Sequence, residues 1–192
     1  MSKERIILIG GGGHCRSVID VIELTNKFEI LGIIDRKENL GKDVLGYKVI
    51  GTDNEISNFI NERVKFLITI GHIGDATKRI EIFRNLKNLG LQLATVVSPL
   101  AYVSKYASIG EGTVVMHHAL INAGAKIGNN CIINSKALIE HDAIVEDHCH
   151  ISTSAIVNGG VVVRSGTFLG SNATVKQYTE IEGFIKAGSV IK

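Results

Sequence analysis

The second half of the chain carries a six-residue repeat, which restricts its fold more than any other feature. From Val97 to the last residue the sequence divides without remainder into sixteen hexads: VSPLAY, VSKYAS, IGEGTV, VMHHAL, INAGAK, IGNNCI, INSKAL, IEHDAI, VEDHCH, ISTSAI, VNGGVV, VRSGTF, LGSNAT, VKQYTE, IEGFIK and AGSVIK. Fifteen of the sixteen begin with Val, Ile or Leu, and Ala187 is the exception. A fixed period sustained over this length is the signature of a repeat architecture.

The repeat predicts a triangular solenoid of parallel strands in which three hexads make one coil. The aliphatic first residue of each hexad fills the interior, the small fifth residue packs beside a corner, and polar or glycine residues form the turns. Residues eighteen apart then lie above one another in neighbouring coils. The sequence itself therefore supplies the geometry of this half.

The first half alternates strands and helices. Strand patterns cover 3–10, 28–35, 46–52 and 64–71, and helical patterns cover 14–27, 53–62 and 75–90. This alternation predicts a parallel sheet with helices on its faces, a small Rossmann-like fold. We expect two domains, a Rossmann-like domain over residues 1–95 and an all-β solenoid over residues 96–192.

Composition and charge exclude several classes of function. The net charge is +2 and the basic residues are scattered, which argues against a nucleic-acid-binding surface. No apolar run approaches the ~18 residues that a membrane span needs, and no signal-peptide pattern opens the chain. Three cysteines, Cys15, Cys131 and Cys149, form neither an even set nor a CxxC pair. We therefore expect a cytoplasmic protein with buried thiols and no disulfide.

A run of four glycines follows the first strand, in the stretch IILIGGGGHCRSVID at residues 6–20. A glycine-rich turn at the start of a helix presents N–H groups to a pyrophosphate. A nicotinamide-dinucleotide motif would read G-x-G-x-x-G, but the sixth position from Gly10 is Cys15, so a dehydrogenase is the weaker interpretation. A tight turn without a ligand is the remaining alternative.

His141 is the candidate general base, since histidine titrates near neutral pH. The repeat places it over Ala123 and under Gly159, so that small neighbours leave room around the imidazole. Either Glu140 or Asp142 could orient the ring and stabilise the imidazolium. A zinc site at His148-x-His150 lacks further ligands in suitable spacing, and we expect no metal.

The hexads resemble the left-handed β-helix of the hexapeptide acyltransferases, and the resemblance covers residues 97–192. With the IGGGGH segment in front, the chain is similar to the group of sugar-nucleotide and sialic-acid O- or N-acetyltransferases. Well-known members acetylate the 4-amino group of UDP-4-amino-4,6-dideoxy sugars. The resemblance implies an acetyl-CoA-dependent N-acetyltransferase that forms a homotrimer, with active sites between subunits and a nucleotide sugar as the second substrate.

The resemblance also implies roles for particular residues. The segment NSKALIEHD is similar to the family pattern N-x-x-x-x-x-E-H-[ED], which makes His141 the general base and Asp142 its orienting acid, with Asn134 and Glu140 in support. The acetyl-CoA contacts implied are His150 and residues expected to leave backbone exposed, namely Gly159, Gly160, Ser165, Gly166 and Ala173. The implied substrate contacts are Gly11, Gly12, Gly13 and His14 at the phosphates or sugar, and Asp35 and Arg36 near the uridine.

Two other functions remain open at this point. The same fold could acetylate a hydroxyl of sialic acid or of another sugar, because nothing in the glycine loop distinguishes an amine from a hydroxyl acceptor. A binding scaffold that kept the solenoid and lost catalysis is an alternative of another class.

Overall fold

The computed structural model describes residues 3–59 and 63–192. Its first half forms one six-stranded sheet with two α-helices. The elements are β1 (Glu4–Ile9), α1 (Gly13–Thr25), β2 (Phe28–Ile34), β3 (Asp43–Val44), β4 (Tyr47–Gly51), β5 (Val64–Ile68), α2 (Thr77–Asn88) and β6 (Gln92–Leu93), with 3-10 helices at Lys37–Asn39 and Asp53–Phe59.

The sheet order is β3-β4-β2-β1-β5-β6, and every neighbouring pair is parallel except β3–β4. The predicted alternation of strand and helix is therefore confirmed, and the short antiparallel strand β3 is an addition to it. The helix predicted at 53–62 is a 3-10 helix over Asp53–Phe59, and residues 60–62 lie outside the described residues.

The second half forms three parallel sheets, and in each of them two-residue strands from successive coils lie side by side. The first solenoid sheet contains β7 (Val96–Val97), β10 (Val114–Val115), β13 (Ile132–Ile133), β16 (His150–Ile151), β19 (Phe168–Leu169) and β22 (Phe184–Ile185). The second contains β8 (Tyr102–Val103), β11 (Leu120–Ile121), β14 (Leu138–Ile139), β17 (Ile156–Val157), β20 (Thr174–Val175) and β23 (Val190–Ile191). The third contains β9 (Ser108–Ile109), β12 (Lys126–Ile127), β15 (Ile144–Val145), β18 (Val162–Val163) and β21 (Glu180–Ile181).

Each strand pairs with the strand eighteen residues away, as the repeat predicts, up to β21. Up to β21, the second residue of each solenoid strand is the aliphatic first residue of a hexad and points into the solenoid, where it packs with the small fifth residues in one buried core. Burial of this column stabilises the solenoid at about 25 cal/mol per Å² of apolar surface.

The predicted register is wrong in the last coil. Phe168 pairs with Phe184, sixteen residues on, because the turn between β21 and β22 is two residues shorter than the others. The interior positions there are Ile185 and Ile191, which pack against the core. Ala187 is therefore not an interior residue, which explains why it broke the hexad pattern.

Helix α1 packs between the sheet and the first solenoid sheet. Its residues Cys15, Val18 and Ile22 share a buried cluster with the outward residues of that sheet, Val114 and Ile132. The two halves thus meet over a common apolar core. Over the part of the chain that the structure describes, no helix is both long and apolar enough to cross a membrane.

Candidate functional site

His141 and Asp142 form a hydrogen-bonded pair at a corner between the second and third solenoid sheets. His141 Nδ1 lies 3.0 Å from Asp142 Oδ2, and about half of the His141 side chain is exposed, at 53%. A carboxylate only accepts, so Nδ1 carries the proton of the neutral ring and Nε2 keeps its lone pair. The imidazole therefore presents a basic nitrogen at the surface.

Two glycines make room for this pair. A Cβ atom on Gly159 would lie 2.6 Å from His141 Nε2, so the stacking of His141 on Gly159 is as the repeat predicts. A Cβ atom on Gly124, one coil before Asp142, would collide with Asp142 Oδ1. Gly124 was not among the predicted site residues, although it lies eighteen residues before Asp142 and so directly beneath it in the repeat.

The hydrogen bonds described for the Glu140 side chain go to groups other than the His141 imidazole. Glu140 Oε2 accepts a hydrogen bond from Asn122 Nδ2 at 2.8 Å and one from the backbone N–H of His141 at 3.4 Å. Of the two acids that could orient the ring, Asp142 does so, while Glu140 holds the backbone of the corner.

Asn134 and His150 lie together, at a different corner from His141. Asn134 follows β13, at the corner between the first and second solenoid sheets, and its Nδ2 lies 3.2 Å from His150 Nε2. Within one chain, one side of the solenoid separates Asn134 from His141, so the support of His141 by Asn134 stays a prediction. Asn134 contacts the histidine predicted to bind the coenzyme.

His150 belongs to a buried group of histidines between the two halves of the molecule. Its Nδ1 donates to the carbonyl oxygen of His72 at 2.8 Å, and the two rings meet edge to face with centroids 5.4 Å apart. Burial is the main cause that lowers the pKa of His150 to about 4 and those of His14 and His72 to about 3. Buried Arg79 lowers all three further. The three imidazoles are neutral at physiological pH.

Sequence reasoning missed His72 and Arg79. His72 is 5% exposed, and among the described residues neither of its buried ring nitrogens has a hydrogen-bond partner, nor does His14 Nε2. Arg79 is fully buried and joins the loop after β5 to Asn130 of the solenoid. No local pattern marks these residues, because their partners lie far away along the chain.

The glycine loop opens onto a cavity at the carboxyl ends of β1 and β2. The cavity measures about 280 Å³, and its lining includes the loop with Asp35, Arg36 and Gly71. Gly12 is the N-cap of α1, and a Cβ atom on Gly12 or Gly13 would meet nothing within 4 Å. The loop therefore offers the start of a helix to a ligand without obstruction.

Asp35 holds this loop in shape. Its Oδ2 accepts from the N–H of Gly11 at 2.9 Å and its Oδ1 from the N–H of Arg36 at 2.7 Å. The Gly11 amide, which was predicted to face a phosphate, therefore donates to Asp35 instead. The contact of Asp35 with a nucleotide stays a prediction. A neighbouring cavity of about 560 Å³ extends from Asp35 and Arg36 to Lys78.

The residues predicted to leave backbone exposed to a coenzyme differ in their surroundings. Ala173 is fully buried in the solenoid core, and its N–H and carbonyl are hydrogen-bonded to Gly170 and Ile156, so the expectation is wrong there. The fifth position of a hexad faces inward. Ser165 Oγ donates to Asp147 O at 2.9 Å, and Gly166 lies near Ala76.

Gly160 is covered on one side. Its N–H donates to the carbonyl of His141 at 3.0 Å, so this amide is not free for a ligand, contrary to expectation. The ring of Tyr178, which is 75% exposed, lies over the Gly160 backbone, where a Cβ atom would collide with it. An exposed aromatic ring thus stands over Gly160, a placement that the eighteen-residue spacing between the two residues could have indicated.

The cysteines are free and buried, and Cys131 and Cys149 form no disulfide. Cys131 Sγ donates to Glu146 O and Cys149 Sγ to Arg164 O, each at 3.1 Å. His148 contacts Asn130 and Phe83 rather than sharing a ligand position with His150. Among the described residues, no group of three metal-ligating side chains could hold an ion.

Family models match both halves of the chain. The model of the PglD N-terminal domain matches residues 5–86, and that of the bacterial transferase hexapeptide, six repeats, matches residues 106–141. Among curated proteins no match is found.

Solved structures are similar to the chain over nearly its whole length. A histidine-to-asparagine variant of perosamine N-acetyltransferase from Caulobacter crescentus, in complex with CoA and GDP-perosamine, is 30% identical with a TM-score of 0.90, over 97% of this chain and 88% of that one. The acetyltransferase domain of PglB from Neisseria gonorrhoeae FA1090 is 28% identical with a TM-score of 0.90, over 99% and 92%. The same domain in complex with acetyl coenzyme A is 26% identical with a TM-score of 0.85, over 99% and 93%.

Proposed function

Because the chain belongs to the hexapeptide-repeat sugar acetyltransferases, we propose that it transfers the acetyl group of acetyl-CoA to the amino group of a nucleotide-linked amino sugar. The observation that carries this proposal is the hydrogen-bonded pair formed by His141 and Asp142, in which the half-exposed imidazole lies over Gly159 and keeps the lone pair of Nε2. The relatives named above support the substrate class, since one is a perosamine N-acetyltransferase in complex with CoA and GDP-perosamine.

In the proposed reaction His141 is the general base. The sugar nitrogen attacks the thioester carbonyl carbon, and His141 Nε2 takes a proton from that nitrogen as the C–N bond forms. Asp142 stabilises the resulting imidazolium through Nδ1. When the tetrahedral intermediate collapses, the C–S bond breaks, the CoA sulfur leaves with the bonding electrons, and it takes up the proton held by the His141 imidazolium, which returns to its neutral form. The thiols of Cys131 and Cys149 take no part.

The glycine loop is the proposed site of the nucleotide diphosphate. Gly12 and Gly13 present an unobstructed helix start, which suits a phosphate. The base and ribose would then occupy the cavity that runs from Asp35 and Arg36 toward Lys78. A UDP sugar is the expectation from the sequence, while the relative's ligand contains GDP. The diphosphate is common to both.

A complete site requires two copies of the chain under this proposal. His141 and Asp142 stand at one corner, while Asn134 and His150 stand at the next, one side of the solenoid away. Subunits arranged around a three-fold axis would bring one corner of each copy toward a different corner of its neighbour. We therefore propose a homotrimer with acetyl-CoA between subunits, near Gly159, Gly160, Ser165 and Gly166.

We also propose a Rossmann-like topology for the first half of the chain. The parallel strands lie in the order β4-β2-β1-β5-β6. The strand numbers fall as far as β1 and then rise, so the chain order switches at β1, as in a Rossmann-like half. We propose a nucleotide-binding domain over residues 1–95 and left-handed winding of the solenoid over 96–192. The three free cysteines support a cytoplasmic location.

A substrate panel tests the proposal. The chain is incubated with acetyl-CoA and either UDP- or GDP-linked 4-amino-4,6-dideoxy sugars, the matching 4-hydroxy sugars, or free and CMP-linked sialic acids, and release of CoA thiol is followed. The proposal predicts release only with the amino sugars. Release only with hydroxyl acceptors would establish an O-acetyltransferase instead. Binding of nucleotide sugar without release from any member would indicate a scaffold.

A further inference from the structure

The buried junction between the two halves fixes which nitrogen of His150 carries a proton. His150 Nδ1 lies 2.8 Å from the carbonyl oxygen of His72, and a carbonyl can only accept. The proton of the neutral ring therefore resides on Nδ1. Nε2 keeps its lone pair and accepts from Asn134 Nδ2 at 3.2 Å.

This tautomer in turn fixes the amide of Asn134. Its Oδ1 accepts from the N–H of Ser135 at 2.8 Å, while one N–H of Nδ2 points to His150. The amide is held at both ends, and its second N–H remains available as a donor for a ligand. If His150 carried its proton on Nε2 instead, two donors would face each other and the amide would turn.

Arg79 holds the loop that supplies the His72 carbonyl. Its guanidinium donates to the carbonyls of Ile68 at 2.9 Å and Ile70, just before His72, and to Asn130 Oδ1 of the solenoid at 2.7 Å. Arg79 is fully buried, and the partners described for it are all neutral oxygens. Burying a cation without a carboxylate is costly, so the hydrogen bonds of the Arg79 guanidinium must offset that cost.

We propose that Arg79 is a positioning residue for acetyl transfer, which acts through the His72 carbonyl to keep the proton of His150 on Nδ1 and the Asn134 amide turned toward the coenzyme. The chain of contacts runs from α2 through the loop after β5 to the first solenoid sheet and ends at the corner of Asn134. This inference rests on the proposed role of His150 and Asn134 at acetyl-CoA.

The groups around His150 also determine whether its ring carries a charge. The groups that face His150 are His14, His72 and Arg79 from the first half and Asn134 and Phe168 from the solenoid, and no carboxylate is among the partners described for it. Burial first, and then the Arg79 cation, keep the pKa of His150 at about 4, against an opposing effect of the hydrogen bond to His72. The ring therefore stays neutral, with one defined tautomer.

The test combines nuclear magnetic resonance with kinetics. Protein labelled with ¹⁵N at the histidine rings is recorded at pH 7, and the His150 signals are assigned from His150→Gln. The inference predicts a protonated Nδ1 and an unprotonated Nε2 in the full-length protein. A protonated Nε2 in the unmodified protein would overturn it, whatever the variants do. This readout needs no substrate, so it is independent of whether the proposed function is correct.

Variants of Arg79 supply the second readout. Arg79→Met is expected to give a mixture of His150 tautomers and to raise KM for acetyl-CoA roughly tenfold, as for a displaced binding group, with a smaller change in KM for the sugar. Arg84→Met, on the exposed side of the same helix, is the matched control and should change neither. Arg79→Lys keeps the charge but cannot reach Ile70 and Asn130 together, so its effect should be intermediate.

Two results from these variants contradict the proposal. The first is Arg79→Met with the original tautomer and an unchanged KM for acetyl-CoA. The second, which decides the matter if Arg79→Met does not fold, is Arg79→Lys with both properties as in the unmodified protein.

Discussion

His141 and Asp142 are joined by a 3.0 Å hydrogen bond between Nδ1 and Oδ2 at a single turn of the solenoid. The two residues are neighbours in sequence, and the left-handed backbone of Asp142, with φ of 60°, brings its carboxylate beside the ring. The coils on either side contribute glycines, Gly124 at Asp142 and Gly159 at His141. The hydrogen bond between adjacent residues thus orients the pair, and the glycines of the neighbouring coils leave space for both side chains.

Replacing Gly124 with alanine should disturb this pair. The new methyl group would occupy the place of Asp142 Oδ1 and turn the carboxylate away from His141. We expect kcat to fall by about tenfold to a hundredfold, within the range of a lost general-base contribution, while acetyl-CoA still binds. Steady-state kinetics and calorimetric titration measure the two quantities.

The control for that experiment is Gly183→Ala. Gly124 and Gly183 have the same φ of +76°, so both substitutions strain the backbone alike, but a Cβ atom on Gly183 meets nothing within 4 Å. Gly183→Ala should lose stability and keep kcat. Equal losses of kcat in the two variants would show that backbone strain, not the Asp142 contact, is responsible.

The buried histidines should make the protein less stable in mild acid. The pKa of His72 is lowered from its ordinary value of 6.5 to about 3 in the folded chain, so between these pH values the unfolded state binds a proton that the folded state does not. The free energy of unfolding therefore falls as pH drops from 6.5 toward 3, by up to ~1.4 kcal/mol per pH unit for each such histidine. His14 and His150 act in the same direction.

Denaturant unfolding at a series of pH values between 7 and 5 measures this slope. His72→Phe removes one buried imidazole and should make the slope shallower by about one proton, whereas His118→Asn, at an exposed corner, controls for the loss of a histidine. If His72→Phe retains the full slope, the assigned neutral state of His72 is incorrect.

The thiols should be inert in the folded protein. Burial raises the pKa of the Cys15 thiol to about 11. The hydrogen bond between Cys149 and Cys131, followed by burial, raises the pKa of the Cys149 thiol. Thiolate is the reactive form, so a chromogenic disulfide reagent should label none of the three cysteines until the chain unfolds, when all three react. Rapid labelling of a folded sample would contradict the burial described here.

The six-residue period made most of the solenoid predictable. It identified the interior column and the stacking of His141 on Gly159 because strand pairing follows a fixed spacing of eighteen residues. It failed where the spacing changes, at the short turn before Phe184, and for Ala173, whose small side chain was interpreted as exposed backbone although the fifth hexad position faces inward.

The histidine cluster could not be predicted in this way. His72 meets His150 across 78 residues of chain, and Arg79 meets Asn130 across 51. These contacts depend on how α1, α2 and the loop after β5 pack on the first solenoid sheet, which no local period encodes. In the first half, hydrophobic patterning predicted the strands, whereas the engagement of Gly11 by Asp35 is a loop contact without a sequence signature.

The most direct test of the account is the turnover of His141→Gln with acetyl-CoA and a nucleotide-linked 4-amino sugar. Glutamine keeps the polarity of the corner and cannot accept the proton. The account predicts that kcat falls by at least ~100-fold while the affinity for acetyl-CoA and for the sugar nucleotide stays within about twofold. A kcat equal to that of the unmodified protein would contradict the assignment of His141 as the general base.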